Sequence, residues 1–127
     1  MTSKLIAGLL IVAGIIHLLP LSGVLGAERL ATLYGLSFDE PNTLILMRSR
    51  AVLFGLLGAL LIYAAFRPLL QPVAFAGGLI SVLSFLYVAW ASPGYNDAIR
   101  RVVIADWVAL GCLLLALVLY AIDHAER

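Results

Sequence analysis

Residues 41–66 read PNTLILMRSRAVLFGLLGALLIYAAF, and the length of this stretch decides the architecture. A helix that crosses the ~30 Å hydrocarbon core needs about 20 mostly apolar residues, each rising ~1.5 Å. The uncharged part, Ala51 to Phe66, is only 16 residues long. A span here must therefore begin further back and carry Arg48 and Arg50 inside it. Asp39-Glu40-Pro41-Asn42 supplies the start, with acidic residues suited to the positive helix end and proline tolerated in the first turn.

The same test finds three more spans. One runs from about Lys4 to Leu25, with His17 its only ionisable group past the lysine. Another runs from about Leu69 to Ala91, between Arg67-Pro68 and Ser92-Pro93-Gly94. The last runs from about Ile99 to Ile122, and its uncharged part, Trp107 to Ile122, is again 16 residues, so Asp106 falls within it. The expected fold is all-α: one integral-membrane domain over 1–127, an up-down bundle of four helices at about 4–25, 41–66, 69–91 and 99–122. Ala27 to Tyr34 forms a short amphipathic helix between the first two spans, ended by Gly35. A cleaved signal peptide is the rival reading of the first span, but no small-x-small cleavage site follows it.

Composition agrees. The chain has 127 residues, 64% hydrophobic and 12% charged, with a mean hydropathy of +1.11. Soluble domains carry about twice that share of charge. A soluble enzyme, a disordered tail and a nucleic-acid binder are excluded, and the lipid bilayer is the first partner. The net charge of +1 gives no polybasic or acidic footprint. The single cysteine, Cys112, cannot form an internal disulfide or a Cys-rich metal site.

Small residues mark close helix contacts in membranes. At a 3.6-residue period, Leu10, Ala13, Gly14 and His17 share an inward face on the first span. Arg48, Ala51, Gly55, Gly58 and Ala59 share one on the second, with Phe54, Leu57 and Leu61 turned away. Arg50 is rotated by ~200° from Arg48 and groups with Phe54 and Leu57, reaching up to the interface. The third span turns Ala74, Gly77, Gly78, Ser81, Ser84 and Val88 inward, with Phe75 and Leu86 elsewhere. The fourth groups Asp106 with Ala109, Leu110, Leu113 and Leu117.

Up-down topology brings His17, Arg48, Tyr87 and Asp106 to one end, with Glu28 and Asn96 in the loops there. A charge at mid-bilayer costs about 2.5–3.5 kcal/mol on insertion scales, so Arg48 and Asp106 are expected to meet. Two readings follow. A clamp requires direct Arg48–Asp106 contact with no space left, whereas a ligand or proton site requires the groups to converge around a cavity. Tyr63, Tyr87, Trp90 and Trp107 otherwise read as interface anchors or packing.

No cofactor is indicated. His17 and His124 fall at opposite ends and no His-x-x-Glu cluster exists, so neither a metal nor bis-histidine haem is expected. There is no Walker loop, dinucleotide fingerprint or Ser-His-Asp order. An adenylyltransferase of the phosphopantetheine type binds phosphate through HxGH; here His17 is followed by Leu18-Leu19-Pro20.

Leu33-Tyr34-Gly35, Arg48-Ser49-Arg50 opening a glycine-bearing helix (Ala51 to Gly58), and Asp106-Trp107 together resemble the DoxX-like group of small four-helix membrane proteins, over essentially the whole chain. The resemblance implies a multi-pass protein of a bacterial inner membrane, in a group some of whose members are tied to redox or quinone-related chemistry. It also favours cytoplasmic termini. Positive charge does not choose: Lys4, Arg67 and Arg127 lie on one side, and Arg29, Arg100 and Arg101 on the other once Arg48 and Arg50 are assigned to the helix. The leading expectation is a polar pocket for a lipid-like or quinone-like molecule, or an accessory subunit in a homo-oligomer or larger membrane complex. The alternatives are a membrane-embedded enzyme with His17 as acid/base, oriented by Asp106 or Glu28, and a purely structural subunit.

Overall fold

The computed structural model describes residues 2–37 and 40–126. Helix α1 spans Thr2–Leu18 and continues as a 3-10 helix, Leu19–Leu25. The change of helix falls at Pro20, which has no N–H for the helical ladder and whose ring crowds the preceding turn. The expected span is one uniform helix to Leu25; the tighter 3-10 segment is the difference. The short α2, Ala27–Tyr34, ends at Gly35, whose φ of +68° favours glycine. Its N–H donates to Ala31 O at 2.7 Å.

Helix α3 spans Pro41–Ala65. Glu40 caps it by accepting from the N–H groups of Asn42 and Thr43 at 3.0 and 2.9 Å, and these bonds hold the Glu40 carboxyl below its ordinary value. Asp39, the other acidic residue of the expected start signal, lies outside the described residues, as does Arg127. A 3-10 turn, Pro68–Leu70, leads into α4, Gln71–Ala91, and α5 spans Asp97–Ala125. Four helical stretches, Thr2–Leu25, Pro41–Ala65, Pro68–Ala91 and Asp97–Ala125, are long and apolar enough to cross a membrane. The chain is an all-α, multi-pass membrane protein.

The spans pack in a ring: α1 lies against α3 and α5, and α4 lies against the same two. Leu10, Leu61, Val82 and Leu113, one from each span, have no exposed surface and form the central layer. Helices α1 and α3 approach closely at Gly14 and Gly58, where a β-carbon added to Gly58 would lie 2.7 Å from Gly14 O. This is the small-residue contact that membrane helices use where lipid gives no hydrophobic drive.

Two inward faces differ from expectation. On α3, Leu61 is fully buried and Ala59 is exposed. This helix packs on α1 and α4 at once, so its second half buries a wider arc than one small-residue stripe. On α4, Phe75 and Leu86 are buried, whereas Ser84 and Val88 face outward. Ser84 Oγ donates to Ser81 O of its own helix at 2.9 Å, which satisfies the hydroxyl without a neighbour. Phe75 meets Tyr120 of α5 edge-on at 5.5 Å between centroids.

Helix α2 buries Leu30 and Tyr34, one turn apart, over the start of α3 and α5. Asn96 ties it down. Its Nδ2 donates to Tyr34 O at 3.0 Å, while its Oδ1 accepts from Ile99 N at 2.8 Å as the cap of α5. Asn96→Ala should cost about 1 kcal/mol for the lost cap and also release α2. Thermal unfolding in detergent reads the first effect, and faster trypsin cleavage at Arg29 reads the second.

Candidate functional site

His17 sits in the last turn of α1 and is 3% exposed. Its Nδ1 lies 2.8 Å from Ala13 O, one turn earlier. A carbonyl only accepts, so Nδ1 carries the proton in this bond. In the neutral ring Nε2 is then a bare acceptor. Nε2 is buried and finds no partner among the described residues.

Next to it is a cavity of ≈ 20 Å³, lined by His17 of α1, Tyr34 of α2, Arg50 and Phe54 of α3, Phe85 of α4 and Asp106 of α5. Every helix contributes. A second cavity of ≈ 310 Å³ lies beside it, between the 3-10 segment, α2 and α5. Ile16, Pro20, Tyr34, Val102 and Asp106 form part of the wall of both. The larger cavity is otherwise walled by Leu19, Leu33, Ala98 and Ala105, with Thr32 and Arg101 the remaining polar groups. An apolar chamber thus shares part of its wall with a small one bordered by four polar side chains, His17, Tyr34, Arg50 and Asp106.

Arg50 organises the polar end. Its guanidinium stacks 4.6 Å from the Phe54 ring centroid, one turn along the same helix, and 6.0 Å from that of Phe85. It lies within hydrogen-bonding reach of Tyr34 and within the electrostatic reach of Asp106. Burial pushes the Tyr34 hydroxyl above its ordinary value; Arg50 opposes this, and Asp106 adds to it.

The structure brings together two of the six residues expected at this end, His17 and Asp106. Arg48 is a correction. It is exposed, and its Nε donates to Val24 O at 2.9 Å. The 3-10 segment stops at Leu25, and Arg48 satisfies one of the carbonyls left near its end. The expected Arg48–Asp106 pair is not formed, and Arg50, also exposed, is the arginine within electrostatic reach of Asp106. Phe54, turned away in the expected face, is half-buried beside the His17 ring at 6.1 Å between centroids, so this side of α3 fronts the cavity. The readable signal was the one-turn spacing of Arg50 and Phe54, which suits a cation over an aromatic face.

Tyr87 is 66% exposed and lies against Trp90, outside the cavity. Tyr34, carried by α2, is the tyrosine at the site. Glu28 is exposed on the outer side of α2. Asn96 works as the cap and tie already described. Neither Glu28 nor Asp106 orients the His17 Nδ1, because Ala13 O holds it. Among the described residues no group of three or more His, Cys, Asp or Glu is placed to hold a metal ion.

Fold and site together define a multi-pass membrane protein with a polar chamber at one end of its helices. No family profile matches the chain. No curated protein and no solved structure is detectably similar to it.

Proposed function

We propose that this is a DoxX-like binding protein of a bacterial inner membrane, holding a lipid-like or quinone-like amphiphile. The apolar body would occupy the ≈ 310 Å³ cavity, which is at the lower end of ordinary small-molecule sites. The polar head would lie against Tyr34 and Asp106, toward His17. The observation that carries this reading is the shared wall of the two chambers: an apolar cavity bordered by one carboxylate and one phenol, beside a smaller one bordered by His17, whose buried Nε2 has no partner among the described residues. Intramembrane ionisable groups mark functional sites more often than chance, and a buried polar atom without a partner is costly.

Native amphiphile should therefore co-purify with the wild-type protein in mild detergent and be lost from His17→Ala. Lipid extraction and mass spectrometry read the result. Equal amounts of the same species in both proteins would remove the support for this reading.

A further inference from the structure

We propose that the occupant of this site presents a hydroxyl, phenolic or alcoholic, whose oxygen enters the small chamber and donates to His17 Nε2. The inference rests on the binding reading above and narrows its ligand class.

Ala13 O fixes the His17 proton on Nδ1, so Nε2 offers a lone pair. Asp106, on the same chamber wall, offers a carboxylate. Arg50, also on the wall, is a donor that cannot accept, and Tyr34 is a hydroxyl within its reach. An atom among these groups meets acceptors and donors alike. A hydroxyl oxygen both accepts and donates. A ketone, quinone carbonyl, ester or ether oxygen only accepts, and it would leave Nε2 buried without a partner. Phosphate or carboxylate would face both a lone pair and a carboxylate. An ammonium would face Arg50.

Size agrees. The chamber of ≈ 20 Å³ holds one oxygen, since about 10–15 Å³ suffices for a water, and it is too small for a bulky headgroup. The body must stay in the apolar cavity across Tyr34 and Asp106, which border both spaces.

The test compares 4-octylphenol with its methyl ether, 4-octylanisole, added to the full-length protein in lipid nanodiscs. The chain has two histidines, His17 and His124, so ¹⁵N-histidine labelling with a His124→Gln variant assigns the His17 Nε2 resonance. Occupancy is followed separately at the Ala105 methyl group, which lines only the larger cavity. The phenol should saturate the Ala105 shift and move Nε2 toward a hydrogen-bonded value. The anisole should bind at least about tenfold more weakly, the cost of leaving a buried acceptor unmet, and leave Nε2 unmoved. His17→Phe should bring the two probes level.

Equal binding of both probes to the wild type would overturn the hydroxyl inference and leave the pocket standing. Failure of both to move Ala105 would overturn the inference and the pocket together. An Nε2 already hydrogen-bonded without probe, and unchanged by the phenol, would assign the donor to water and overturn the inference.

Discussion

Gly58→Val should leave the protein unable to hold its helices together in detergent, with Gly58→Ala already losing about 1–3 kcal/mol. A β-carbon at residue 58 would lie 2.7 Å from Gly14 O and 2.9 Å from Leu18 Cγ. The first of these is backbone, deep in α1, and cannot swing aside as a flexible side chain can. Relief requires α1 and α3 to separate, and that contact is also what sets the depth of His17 relative to Arg50. Gly14→Ala should behave alike, since its β-carbon would meet Ile62 Cγ1 at 2.6 Å and Gly58 O at 2.9 Å. The two substitutions should not rescue each other. Gly8→Ala and Gly111→Ala serve as controls. Both glycines are helical with nothing within 4 Å of an added β-carbon, and alanine there should be neutral or gain up to about 0.5–1 kcal/mol. Thermal unfolding in one detergent compares all four; equal effects at positions 8 and 58 would contradict the packing described.

The second large effect separates the two arginines. Arg50→Leu removes the cation that stacks on Phe54 within electrostatic reach of Asp106, leaving a half-buried carboxylate beside His17 and Tyr34. The expected cost is about 1–3 kcal/mol, toward the lower half because Arg50 retains solvent-exposed surface. Asp106→Leu should cost less, since Arg50 keeps its aromatic partner. The double variant Arg50→Leu/Asp106→Leu should recover part of the loss, because an apolar pair replaces a charge left alone. Arg48→Leu forfeits only the exposed bond to Val24 O, and its effect should add to that of Asp106→Leu within about 0.3–0.5 kcal/mol. Two double-mutant cycles check this. Coupling in the Arg48 cycle and none in the Arg50 cycle would restore the pair expected from the sequence.

That exchange of arginines shows where the sequence stops being informative. Spans were legible because membrane crossing is a matter of length and charge, and both are linear properties. Helix α3 begins at Pro41 and α5 contains Asp106 for the reason given at the outset: the uncharged runs are too short. The inward face of α1, through Leu10, Ala13, Gly14 and His17, was also legible, because one narrow stripe of small residues meets α3. Helical rotation elsewhere was not. Small residues indicate close backbone approach, but a cavity is the place where backbones do not approach. Arg50 stands beside the large Phe54 because the end of α3 there borders open space and not a tight contact. Ser84 misled for a related reason: its hydroxyl is satisfied within α4. Tyr34 was hidden because its place depends on α2 folding back over the helix ends. That position is set by Gly35, Asn96 and the Pro20 change of helix, three features far apart in the chain.

The most direct test of the pocket is to fill its apolar chamber without touching the polar one. Ala105 lines the ≈ 310 Å³ cavity and not the ≈ 20 Å³ one. Ala105→Phe should leave the thermal unfolding of the purified protein close to wild type, because the ring enters existing space. The same variant should lose the amphiphile that co-purifies with the wild type, as measured by mass spectrometry of the extracted lipid. Retention of the same species at the same stoichiometry would contradict a pocket between the 3-10 segment, α2 and α5.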